Sequence, residues 1–173
     1  THHIPEGAFR ALMALPVLGG AGDLLTDGTL IKLLVDSGAS HHYVDPRLTP
    51  GLLAPIRDYE QLRVPHSIVA AGDHVLHGVG AGTVNSTVTD DRVHKQAFSF
   101  RAIVVPGMGM NLFSVSEAML IGMAALFYPD HTVLEKDDLV VPMTTLGVNP
   151  ANGKIMCTID VELDDRAGLS MKS

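Results

Sequence analysis

Asp36 closes the apolar run Leu33-Leu34-Val35 and is followed at once by Ser37-Gly38-Ala39. A carboxylate at the end of an apolar segment, next to a hydroxyl and a glycine, suits aspartic peptide hydrolysis. In that chemistry one ionised carboxylate raises a water as nucleophile while a second, protonated, polarises the scissile carbonyl. Gly38 permits a tight turn and a close approach of peptide backbone. Ser37 brings a hydroxyl that both donates and accepts, enough to brace the loop or its symmetry mate. Asp, Ser and Gly are also ordinary turn residues, so the tripeptide alone is equally a plain strand-to-turn corner.

Rival chemistries fit less well. Cys157 falls on the apolar face of an alternating segment and reads as a core residue rather than an exposed nucleophile. No Gly-x-Ser-x-Gly or His-Glu-x-x-His pattern occurs in the chain. Adjacent side chains on an extended segment point to opposite faces, so His41-His42 is not expected to chelate one metal ion. Asp45, Asp73, Asp90, Asp91 and Asp160 lie in turn-like or polar contexts, without a second Asp-Ser/Thr-Gly.

The elements that must position Asp36 read as mainly β. Apolar stretches are short, β-branched and separated by Gly, Pro, Asp and Asn. Residues 30–35 predict a buried strand that delivers Asp36 at its end. Residues 62–69 and 74–80 predict two strands joined by Ala70-Ala71-Gly72-Asp73. Residues 83–89 alternate as a half-buried strand, and 97–105 place Phe98, Phe100, Ala102 and Val104 on one face. Pro106 and Gly107 should end that ladder. Ser114-Val115-Ser116-Glu117 is a capping-box pattern, with Ser114 on an early helix N–H and Glu117 reaching back to the cap, which predicts a short helix over 114–123. Strands at 125–128, 132–135 and 139–143 follow. After the turn at 149–153, Ile155, Cys157, Ile159 and Val161 form the apolar face of a last strand.

Taken together, Asp36-Ser37-Gly38-Ala39-Ser40-His41-His42, Val69-Ala70-Ala71-Gly72-Asp73-His74, Gly78-Val79-Gly80-Ala81-Gly82-Thr83-Val84 and Val104-Val105-Pro106-Gly107-Met108-Gly109-Met110-Asn111-Leu112-Phe113-Ser114-Val115 resemble, in order, the protease domain of copia-type LTR retrotransposon polyproteins. The resemblance runs from about residue 30 to 161. It implies a retropepsin-like acid-protease barrel with one short helix and an active site formed at a homodimer interface. It further implies that Asp36 is catalytic, that Ser37, Gly38 and Ala39 form the active-site loop, and that Ala70, Ala71, Gly72 and Asp73 are the substrate-binding flap. Val105-Pro106-Gly107 would sit where an inner strand approaches that loop, and the last strand would contribute to the subunit interface as well as the core. Ser37 stands where many retropepsins carry Thr, which keeps the hydroxyl and loses a methyl. The implied substrate is the Gag-Pol polyprotein, and no cofactor or metal enters. The alternative is a domesticated or inactive domain used for dimerisation or peptide binding.

Composition bounds the remaining choices. The chain of 173 residues, 46% hydrophobic and 18% charged, is long enough for one core. Residues 1–22 read as an N-terminal arm or linker, 23–165 as the protease domain and 166–173 as a tail. A net charge of −7 without a Lys/Arg block argues against nucleic-acid binding. No apolar run is long enough to span a membrane, and the patch at 11–18 is interrupted by Pro16 and preceded by Glu6, so neither a span nor a signal peptide is expected. The single cysteine excludes an intrachain disulfide and fits a reducing compartment. The resemblance implies an intracellular, cytoplasmic setting that includes virus-like particles. Protonating all nine histidines would move the formal charge from −7 to +2, so self-association is expected to depend on pH near 6.5.

Overall fold

The computed structural model describes residues 9–10, 30–48, 56–69 and 73–163. In chain order the elements are β1 (Phe9–Arg10), β2 (Leu30–Asp36), β3 (His42–Val44), β4 (Ile56–Val69), β5 (Val75–Thr89), β6 (Lys95–Val104), β7 (Asn111–Ser114), α1 (Val115–Leu120), β8 (Ala124–Phe127), β9 (Thr132–Lys136), β10 (Leu139–Pro142), β11 (Thr144–Val148) and β12 (Ile155–Leu163). The fold is mainly β, with one short helix among the described residues. The tail at 166–173 lies outside them, as does the arm at 1–22 apart from β1, which pairs in parallel with Ile68 and Val69.

One sheet runs β1-β4-β5-β6-β3-β7-β2-β12-β11, and a further pairing of β5 with β12 closes its middle into a ring. That closure is made by Glu162 opposite Thr87 and Leu163 opposite Ser86. Strands β8, β9 and β10 form a separate antiparallel sheet. Closing the ring gives its interior strands hydrogen-bonded neighbours on both sides, which removes exposed edges there.

β2 occupies the centre, flanked by parallel β7 and antiparallel β12. Ile31 and Leu33 enter a cluster with Phe98, Phe100, Phe113, Ile159 and Val161. Leu34 faces the opposite way, into a second cluster with Tyr43, Met108, Leu112 and Met156. Covering both faces is the reason the strand reads as a nearly continuous apolar run rather than an alternating one. Two apolar clusters therefore lie on the two faces of this strand.

Several boundaries differ from the sequence expectation. Residues 74–80 and 83–89 belong to a single strand, β5, because Gly78, Ala81 and Gly82 continue the pairing with β4 and β6 without a turn. β11 had no sequence signal: its residues 144–148 are exposed or half-buried, and the strand exists through its pairing with β12. β12 is paired by β2 over residues 157–162 on one side and by β11 over residues 155–158 on the other. Its expected alternation also fails at the start, where Ile155 is 50% exposed while Met156 and Thr158 are buried. Cys157 is buried as expected.

The glycines of β5 have a packing role. A Cβ on Gly80 would fall on the Tyr59 ring, and one on Gly82 on the Ile56 side chain. Two strands can thus approach with β4 side chains lying directly on β5 backbone. Gly80→Val is expected to lower stability by about 1–3 kcal/mol through overpacking. A denaturant midpoint equal to wild type at unchanged m-value would refute this account of the glycine spacing.

Candidate active site

Asp36 is the last residue of β2, where parallel pairing places it opposite Ser114 of β7. Only 7% of it is exposed. The chain turns immediately, and the Gly38 N–H donates to Asp36 Oδ1 at 2.8 Å. This bond orients the carboxylate. Ser37 is exposed and Ala39 buried, so the loop alternates between presenting a side chain and anchoring one. Asp36 and Ser37 open onto a small pocket with Asn149, Asn152 and Lys154 on its rim, and among the described residues lining it Asp36 is the one carboxylate.

The loop after Asp36 is tied to the start of α1. Ser114 is the helix N-cap, fully buried, and its Oγ accepts the Glu117 N–H at 3.1 Å while donating to the Ala39 carbonyl at 2.7 Å. The other half of the expected capping box does not form. The Ser114 N–H donates instead to His42 Nδ1 at 2.9 Å, and the Glu117 carboxylate turns to the histidines. Its Oε1 lies 2.9 Å from His41 Nδ1, and its Oε2 lies 3.2 Å from His42 Nε2 and 3.3 Å from the His42 N–H.

Sequence reasoning placed His41 and His42 on opposite faces of an extended segment. His41 lies in a bend and only His42 begins β3, which lets both rings converge on one carboxylate. Among the described residues no group of three or more His, Cys, Asp or Glu side chains is arranged to hold a metal ion.

His42 stacks on Phe113 at 4.4 Å and meets Phe100 edge-on at 5.3 Å. Because its Nδ1 accepts a backbone N–H, the ring proton must sit on Nε2, where it faces Glu117. Burial pushes its pKa down to about 4, with Glu117 opposing the shift and His41 adding to it. His42 therefore does not join a collective protonation of the histidines near pH 6.5.

Asp45 is a second buried carboxylate, with a structural arrangement. It accepts the Arg47 and Gly109 N–H groups at 2.9 Å each, while its own N–H donates to Asn111 Oδ1 at 2.8 Å. These bonds fix the turn between β6 and β7, where Gly107 and Gly109 take φ of 85° and 86°. Val105-Pro106-Gly107 accordingly lies in or next to that turn. The strand beside Asp36 is Asn111–Ser114 instead, because the chain must reverse after Pro106 before it can run parallel to β2.

The segment expected to be a flap lies at the end of the β4–β5 hairpin. Val69 pairs with Val75 at its end; Ala70, Ala71 and Gly72 lie outside the described residues, and Asp73 is exposed with φ of 60°. His66 of β4 meets His41 edge-on at 5.3 Å, so the hairpin stands against the loop that follows Asp36. On the other side of Ser37 an apolar cavity of about 320 Å³ is lined by Val35, Val115, Ala125, Phe127, Ile155 and Lys154.

The corner at Asp36 was legible as a strand end, whereas the contacts of Ser114, Glu117, His42 and Asp45 were not. The Ser-x-x-Glu pattern marked Ser114 and Glu117, but only the fold supplies the histidines that redirect the glutamate. No protein-family model, curated protein or solved structure matches the chain.

The depressed His42 pKa makes stability pH-dependent. Between pH 6.5 and about 4 the unfolded chain holds a proton at this site that the folded protein refuses, so stability is lost as pH falls through that window. At roughly 1.36 kcal/mol per unit the loss amounts to about 3 kcal/mol. Denaturant titrations should show this slope in wild type and a flatter one in His42→Gln, which has no proton to gain. Equal slopes in both proteins would exclude His42 as its source.

Proposed function

We propose that this chain is the subunit of a homodimeric aspartic endopeptidase, a retropepsin-like domain of the copia type that processes the polyprotein containing it. The observation that carries the reading is the placement of Asp36: a carboxylate at the end of a strand buried on both faces, held by the Gly38 N–H in an Asp-Ser-Gly turn, beside a parallel strand that ends at Ser114. A ring of short strands around that pair, and a β4–β5 hairpin whose His66 leans on the same loop, also support it.

A peptide hydrolase of this kind needs two carboxylates, and the described lining of the Asp36 pocket supplies one. A second copy related by a two-fold axis through the site provides the other. The paired carboxylates share one proton, because like charges a few ångströms apart do not both ionise cheaply. The ionised member draws a proton from a water as that water adds to the peptide carbonyl, and the protonated member donates to the carbonyl oxygen. The resulting diol collapses by breaking the C–N bond as the departing nitrogen takes up a proton, giving a carboxylic acid and an amine. The hairpin holds the peptide extended through main-chain hydrogen bonds and limits bulk water. No other cofactor takes part in this scheme, and the substrate is a peptide segment rather than nucleic acid. No helix among the described residues is long and apolar enough to cross a membrane.

Incubation of the protein with its precursor across pH 4 to 7 tests the reading. Wild type should cleave, and Asp36→Asn should lose at least about 10³-fold in rate while sedimenting as the same dimer. Equal cleavage by both would remove Asp36 from catalysis. Cleavage by neither, with the dimer intact, would leave a dimerisation module. The apolar cavity shares Val35, Ser37, Lys154 and Ile155 with the Asp36 pocket, which puts it beside the proposed axis, so Ile155→Asp should weaken the dimer at least about tenfold by placing a charge there. An unchanged dimer constant would move the interface elsewhere.

A further inference from the structure

The turn that aims Asp36 is held by two residues of another segment, Ser114 along its length and Glu117 at its far end. At its start, Asp36 pairs with Ser114 in the β2–β7 ladder. Inside it, the Ala39 carbonyl accepts from Ser114 Oγ. At its end, His41 and His42 both reach Glu117, and His42 Nδ1 takes the Ser114 N–H. A single helical turn, Ser114 to Glu117, therefore spans the whole active-site loop.

From this geometry we propose that Glu117, acting through His42, is a positioning residue for Asp36: it clamps the loop at 37–42 and so sets the direction of the carboxylate. The inference rests on the protease reading of Asp36. Glu117 does not line the pocket that Asp36 opens onto; its influence passes through the loop backbone. Gly38 can donate to Asp36 Oδ1 only while the turn keeps its shape, and the turn is short enough that loosening its far end changes its near one. The clamp is internally matched. His42 presents an acceptor at Nδ1 and a donor at Nε2, and the two carboxylate oxygens of Glu117 divide between the two rings. Removing the carboxylate would leave the His42 Nε2–H, on a side chain only 6% exposed, without the acceptor it now faces.

Gln in place of Glu117 keeps this pattern, since its carbonyl oxygen accepts from His42 and its amide donates to His41 Nδ1 in the tautomer that exposes a lone pair there. Ala keeps none of it. The full-length dimer carrying Glu117→Ala or Glu117→Gln is therefore compared with wild type for kcat and KM on one peptide substrate, for folded fraction, and for amide exchange at Gly38.

Glu117→Ala should lower kcat about 100-fold with KM within about threefold, as expected when a reacting group is misaimed rather than substrate binding lost. Its Gly38 amide should exchange faster in a protein that still unfolds cooperatively. Glu117→Gln should restore kcat to within about threefold of wild type. The proposal is overturned if Ala retains kcat, if Gln fails as badly as Ala, if the loss of kcat merely follows the folded fraction, or if Gly38 exchange is unchanged. A wild-type protein that cuts no peptide would instead sink the protease reading, and the Gly38 exchange would still decide whether the clamp exists.

Discussion

A strand buried on both faces that ends in a carboxylate imposes a condition on everything around it. The apolar covering makes β2 rigid, but it also leaves Asp36 only 7% exposed, so the carboxylate needs hydrogen-bond donors close at hand, or burying its charge would cost several kcal/mol. The Gly38 N–H bond to Oδ1 helps to meet that condition. The remaining architecture keeps this corner in place. β7 and β12 hold the strand from either side, the two apolar clusters press on it from above and below, and the ring closed by β5 and β12 prevents the flanking strands from splaying.

The polar side of the same corner is organised around Ser114 and Glu117. A helix cap normally looks after its own first turn. Here the serine hydroxyl divides its two roles between the helix and the loop that follows Asp36, and the glutamate abandons the cap for two imidazoles. Burying His42 against Phe113 and Phe100 keeps it neutral, which preserves the Nδ1 lone pair that the Ser114 N–H requires. Electrostatics and packing thus select one tautomer, and that tautomer makes the network consistent from end to end.

Local features of this fold were readable without coordinates. The continuous apolar run marked β2, the alternation at 97–104 marked β6, and the Asn149 to Gly153 turn preceded β12 as expected. What escaped was non-local. β11 carries no periodicity of its own and exists through β12. β12 takes three partners, β2, β11 and β5, that no local pattern names. The His41-His42 pair was read as divergent because extended geometry was assumed, and one bend residue was enough to make the rings converge.

By itself the sequence determined the β class and the corner at Asp36, because each depends on residue type and on spacings of a few positions. It also suggested, through ordered motifs, what such a corner is for. Tertiary structure decided which strand lies beside Asp36, which partner Glu117 takes and which nitrogen of His42 carries the proton. Those outcomes depend on segments some 75 residues apart in the chain being brought within 3.5 Å, and no local pattern encodes a contact made at that separation.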